Sequence, residues 1–169
     1  MTPRGQQQEA VMKQFDFLAI QIADTAADSI INRSAENASL ESHLLTLQEQ
    51  LKNLIHADAP AYAVADARLQ VARTLVGLGR GAEAWPIGRA AFDHFIEHDL
   101  FELAADACDV LFQANQPKSI CALGQGIWIA VTCPIDPELT IELLSHVIEE
   151  TPDNADGAAV AATTALLIA

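Results

Sequence analysis

Apolar residues recur at steps of three and four along most of the chain, the spacing of one buried helix face, and no run alternates apolar with polar as a half-buried strand does. After a polar lead over residues 1–8, Val11, Phe15, Leu18, Ile22, Ala26 and Ile30 predict a helix from Glu9 to Arg33. Ser34 to Ser39 reads as a linker ending in N-cap residue types. Leu40, Leu44, Leu47, Leu51 and Leu54 then form the most regular stripe, an a/d seam. Its burial would contribute roughly 1.5–3 kcal/mol per leucine. Such a seam is too short for a free-standing coiled coil, so packing within the chain is favoured over packing on a partner helix.

Asp58-Ala59-Pro60 ends that helix, and a hairpin follows. Leu69, Ala72, Leu75 and Val76 mark its first helix, from Asp66 to Leu78; Ala84, Ile87, Ala91, Phe95 and Ile96 mark its second. Gly79 and Gly81 sit at the turn, where glycine carries no Cβ penalty. Pro86 is expected in or near the first turn of the second helix, where a missing N–H is tolerated. Placing Asn115 on Gly79 repeats the pattern 36 residues later: Ala72 falls on Cys108, Leu75 on Leu111, Val76 on Phe112, Ala91 on Ile127 and Phe92 on Trp128. Gly88 falls on Gly124, and both are expected where helices approach closely. A third unit opens at Asp136-Pro137, an N-cap followed by proline at the first helical position. Its second helix, Ala158 to Ala169, carries no charge, so it requires cover from the fold, another subunit or further chain.

The predicted organisation is a lead (1–8), an N-terminal helical pair (9–57) and helical hairpins (58–169), with units near 65–99, 100–133 and 136–169. Ala72, Leu75, Gly79, Glu83-Ala84 and Ala91 resemble the tetratricopeptide repeat. The sequence departs from that pattern at Arg68, where the family favours Trp, at Gly81, where it favours an aromatic, and near Ile96, where no proline closes the unit. The resemblance implies an all-α chain of about eight helices, in antiparallel hairpins stacked as a short right-handed superhelix. It also implies that the first helix of each unit lines a concave, peptide-binding face. By position these are Asp66, Leu69 and Arg73; Glu102, Ala105, Asp109 and Phe112; and Glu138, Ile141, Ser145 and Glu149.

Composition sharpens this picture. Of 169 residues 51% are hydrophobic but only 5% aromatic, so the core is built from Ala, Leu, Ile and Val. With 23 acidic against 9 basic residues the formal charge is −14, which repels nucleic acid and anionic lipid and favours a basic or amphipathic peptide partner. Arg68, Arg73, Arg80 and Arg89 form a local basic cluster, read as salt-bridge partners. Cys108, Cys121 and Cys133 form no C-x-x-C and are read as small core residues in a reducing compartment. No signal-peptide pattern or membrane-length apolar stretch is present, which suggests the cytoplasm.

The chemistry-bearing motifs are few. His94-Phe95-Ile96-Glu97-His98 reads H-x-x-E-H, placing two imidazoles on one helix face with a glutamate as base, the arrangement of a metal-dependent hydrolase. The pattern arises readily by chance and no third ligand is marked. Glu142 and His146, at i and i+4, read as a surface pair. Gly77-Leu78-Gly79-Arg80-Gly81 lacks the strand and the Lys-Ser/Thr ending of a phosphate loop. The expectation is therefore a non-catalytic protein-interaction module, adaptor or chaperone-like scaffold without cofactor or metal. Its peptide-binding residues would be Asp66, Arg73, Glu102, Asp109, Phe112, Glu138, Ser145 and Glu149, and its self-association would run through Leu40–Leu54 or the last helix. The alternative is the hydrolase centred on His94, Glu97 and His98.

Overall fold

Four helices of this chain end in the same way, each with one residue in left-handed conformation: Asp58 (φ 50°), Gly79 (72°), Asp99 (57°) and Asn115 (51°). These are the residue types that tolerate this region. After the first three, the next N–H reaches back five residues: Ala59 to Leu54 (3.0 Å), Arg80 to Leu75 (2.8 Å) and Leu100 to Phe95 (2.9 Å). These are Schellman closures, which satisfy carbonyls the helix leaves unpaired and reverse the chain within three residues.

The computed structural model describes residues 33–152 and 155–168. The chain divides into two units, Met1–Glu41 and Ser42–Ala169. Of the first unit 33–41 are described, and they are helical. The second contains helices α1 (42–56), α2 (Ala61–Gly77), α3 (Gly81–Glu97), α4 (Phe101–Gln113), α5 (Ser119–Thr132), α6 (Pro137–Glu150) and α7 (Asp156–Ile168). The described residues thus form an all-α structure of seven helices without strands. The helix expected over Glu9–Arg33 lies outside the described residues except for its last residue. Ser34–Ser39 is helical rather than a linker: its Ala and Glu are good helix formers, and its cap-type residues are all exposed and lose no buried partner.

α2 packs on α3, α4 on α5 and α6 on α7; α3 also packs on α4 and α5 on α6. α4 and α6 begin at 101 and 137, and α2 and α4 end at 77 and 113. Both pairs lie 36 residues apart, the interval expected from the sequence. Proline starts α6, and Asp136 accepts the Glu138 N–H at 2.8 Å.

One core runs through these hairpins. Leu69, Ala72, Leu75, Ala91, Phe95, Ala104, Cys108, Leu111, Ile129 and Leu143 are buried within it. Leu44 joins the same core, and Leu47 and Leu51 pack against it. From Leu44 to Leu51 the leucine seam therefore faces the chain's own core, as the favoured reading had it.

Helix approach is set by alanine and glycine, but not by the glycine pair the repeat suggests. A Cβ on Gly88 would lie 3.3 Å from Leu111 Cδ2, whereas Gly124 has nothing within 4 Å and is exposed. The crowded site of α5 is Gly126, where a Cβ would stand 2.8 Å from Cys108 Cβ. Gly81 is tighter still, since a Cβ there would meet the Ala114 carbonyl oxygen at 1.9 Å. This close approach leaves no room for a side chain at the start of α3. Pro86 falls in the second turn of α3, beyond the position where a missing N–H goes unnoticed, so α3 lacks one internal hydrogen bond. Among the cysteines only Cys108 is a core residue; Cys121 is exposed and Cys133 half-buried. α5 turns Ile120, Cys121, Trp128 and Val131 outward, because Ala122, Leu123, Gly126 and Ile129 already complete its inner face.

Candidate functional site

The first helices of the three hairpins form a row, with α4 in contact with both α2 and α6. Along that row Asp66, Glu102 and Glu138 follow one another at intervals of 36 residues, as do Gln70, Asp106 and Glu142 one turn on. α4 and α6 together carry Glu102, Asp106, Asp109, Glu138, Glu142, Glu149 and Glu150, and no Lys or Arg. Their one titratable nitrogen is that of His146.

The residues expected on this face divide by exposure. Glu102, Glu138 and Glu149 are exposed, and Asp66, Ser145, Ile141 and Phe112 half-buried. Leu69 and Ala105 are wholly buried and belong to the core. Arg73 is exposed but reaches across to Asp106, so α2 and α4 are joined by an ion pair. The Ser145 hydroxyl donates to the Ile141 carbonyl at 2.9 Å, a bond internal to α6.

Asp109 departs furthest from expectation. Its side chain is 2% exposed, so it lies beneath the face rather than on it. Its carboxylate accepts from Gln113 Nε2 at 2.6 Å and lies 2.8 Å from His146 Nε2. The His146 ring packs on Phe112, centroids 4.8 Å apart, and its Nδ1 lies 3.9 Å from Glu149 Oε2. Asp109, Phe112 and Glu149 are therefore gathered around a histidine that sequence reasoning had assigned to a surface pair. Asp109 aligns with Ser145, the neighbour of His146, but neighbouring helical residues point about 100° apart, so register alone does not bring the two side chains together. Among the described residues, Asp109, Glu142 and His146 are the group of three whose ligand-type atoms lie within 4.8 Å of one another.

The His94 motif is arranged differently. The His94 and His98 rings stack with centroids 4.1 Å apart, and His98 Nδ1 lies 2.8 Å from the His94 carbonyl, so it donates there. Three of the four clustered arginines are in ion pairs: Arg73 with Asp106, Arg80 with Glu83 and Arg89 with Asp93. The Arg80 hydrogen bonds hold the Glu83 carboxyl below its usual range.

Between α3 and α5 lies an open groove of about 470 Å³, with Phe92, Ile96, Gln125 and Trp128 in its walls. A second hollow of about 430 Å³ shares Arg89 and Gln125 with it and is lined by Trp85 and Lys118. Arg89 is committed to Asp93 at 2.9 Å, Gln125 at 3.3 Å and the face of Phe92 at 4.6 Å, so it braces the groove.

No family model matches the chain, and no curated protein or solved structure is significantly similar to it. No helix among the described residues is long and apolar enough to cross a membrane.

Proposed function

We propose that this protein is a non-catalytic binding module, its hairpins stacked as a short superhelix, that takes a basic or amphipathic peptide segment of a protein partner along the α2–α4–α6 row. The observation that carries the reading is the set of exposed carboxylates on α4 and α6. Glu102, Glu138, Glu142 and Glu149 are exposed on helices without a lysine or arginine. Several carboxylates on one face raise the local negative potential and attract Lys- or Arg-bearing segments. Half-buried Phe112 and Ile141 add apolar contact between them. Asp66, Arg73 and Ser145 shape the same face, while Asp109 acts from below by fixing His146.

The test is capture from an array of Lys- and Arg-rich amphipathic peptides and their acidic counterparts. Basic peptides should bind and weaken with salt, since exposed charges are screened beyond about 8–10 Å at physiological ionic strength. Glu102→Lys with Glu138→Lys, both at exposed positions, should abolish capture and leave the helical circular dichroism unchanged. Capture that survives this double change places the partner elsewhere and overturns the reading.

A further inference from the structure

We propose that Asp109, Glu142 and His146 form a binding site for a divalent transition-metal ion, with Zn²⁺ the ion best suited to the donors, that ties α6 to α4. The sequence puts Glu142 and His146 one helical turn apart, so both project from one face of α6. The hairpin stack brings Asp109 of α4 against that face. The three ligand-type atoms lie within 4.8 Å of one another. Bonds of 2.0–2.2 Å in a tetrahedral site separate donors by about 3.3–3.5 Å. His146 Nε2 and Asp109 Oδ1, now 2.8 Å apart, would open by roughly half an ångström, and the Glu142 carboxylate would swing inward to meet them. One imidazole nitrogen and two carboxylates suit zinc and its neighbours better than Mg²⁺ or Ca²⁺, which take oxygen donors.

Charge supplies a second, independent argument. A buried carboxylate is costly without a counter-charge. α4, α5, α6 and α7 contain no Lys or Arg, and Arg73 of α2 is engaged by Asp106. Glu142, exposed at the rim, makes no hydrogen bond or ion pair among the described residues. A dication at this point would balance the buried Asp109 charge and draw the Glu142 carboxylate inward.

The surroundings are those of a metal site. Gln113 Nε2 holds the other Asp109 oxygen, Oδ2, at 2.6 Å, so Oδ1 remains as ligand. Phe112 packs on the imidazole, and Glu149 stands 3.9 Å from Nδ1, beyond hydrogen-bond distance but on the side of the ring away from Asp109. Glu142 is exposed and His146 18% exposed, which leaves an entry path and room for water as the fourth ligand.

The inference shares Glu142 with the peptide reading but is tested with no peptide present, so either can fail without the other. Untagged, EDTA-stripped protein would be titrated with Zn²⁺ by calorimetry and by competition with a chromophoric chelator, and its thermal unfolding followed with and without the ion. One Zn²⁺ per chain should bind in the micromolar range or tighter and raise the melting temperature. Glu142→Gln, at an exposed position, and His146→Gln should each weaken binding by roughly tenfold or more, since even outer-shell changes commonly cost that much. A His94→Ala/His98→Ala double variant should bind as the parent does. Absence of saturable binding, binding unchanged by Glu142→Gln, or binding lost with His94 and His98 would each overturn the site; the first would leave Asp109 and His146 as an ion pair only.

Discussion

The Ser119 hydroxyl donates to the Leu111 carbonyl at 2.8 Å and accepts the Gln116 N–H at the same distance. Gln116 stands to Leu111 as Arg80 does to Leu75 and Leu100 to Phe95, five residues on. At those other ends the N–H meets the carbonyl directly; after α4 a side chain from the next helix is inserted between them. The link to α5 is correspondingly longer, and Ser119, 5% exposed, becomes part of the cap of α4.

Ser119→Ala therefore strands a buried carbonyl and an N–H together. The expected loss is about 1–3 kcal/mol, read as a lower urea midpoint at unchanged slope. Ser119→Thr, which keeps the hydroxyl, should recover part of it.

Alanine scanning of the glycines gives a graded series. Gly124→Ala should stabilise by about 0.5–1 kcal/mol, because the new methyl meets nothing and helix-interior glycine carries an entropic cost. Gly126→Ala should destabilise by about 1–3 kcal/mol, because the methyl stands 2.8 Å from Cys108 Cβ and 3.2 Å from Leu143 Cδ2. Gly81→Ala should cost more than Gly126→Ala, since its obstacle is backbone. Gly88→Ala should be near neutral, as the end of Leu111 can yield. Thermal melts of the four variants check the order.

The same glycines show what could be read from the sequence. The turn positions and the 36-residue interval were legible because they rest on apolar spacing and on turn residues: Gly79 and Asn115 both adopt positive φ, whereas α2 begins at Ala61, five residues before the expected Asp66. The mid-helix contact was not, because Gly124 and Gly126 are two residues apart and so point to different faces of α5, and composition does not say which face is inward. The site divides the same way. Exposed Glu102, Glu138 and Glu149 followed from register, whereas the burial of Asp109 depends on where the α6 backbone crosses α4. Only the structure brings His146 to it.

Thiol reactivity should follow burial. Cys121 is exposed and should react first with a disulfide reagent in the native protein, half-buried Cys133 more slowly, and Cys108 only on unfolding. Burial pushes the Cys108 thiol from its ordinary 9.0 up to about 12. The folded state keeps a proton that the unfolded chain releases, so this contribution is complete below pH 9 and is lost as pH rises toward 12. Denaturant midpoints measured at increasing alkaline pH should fall less steeply for Cys108→Ala than for the parent.

Among the described residues the last helix presents the clearest unpartnered apolar surface. On α7 only Ala161 is buried, whereas Val160, Leu166 and Leu167 are 65%, 79% and 82% exposed. The Thr163 and Thr164 hydroxyls turn back onto the Ala159 and Val160 carbonyls and so do little to make that surface polar. The leucine seam of α1 from Leu44 to Leu51 is used within the core, so of the two self-association surfaces expected from the sequence, α7 is the one left with an uncovered face. Burying three such side chains against a second copy would contribute roughly 1.5–3 kcal/mol each before association costs. That is enough for a weak dimer. Sedimentation should therefore show a mass that rises with concentration, and Leu166→Glu with Leu167→Glu should return it to the monomer. Because both positions are mostly solvent-exposed, the double variant should keep the parent's melting temperature measured at low concentration. A parent mass that stays monomeric across the range would show that the face does not pair with itself.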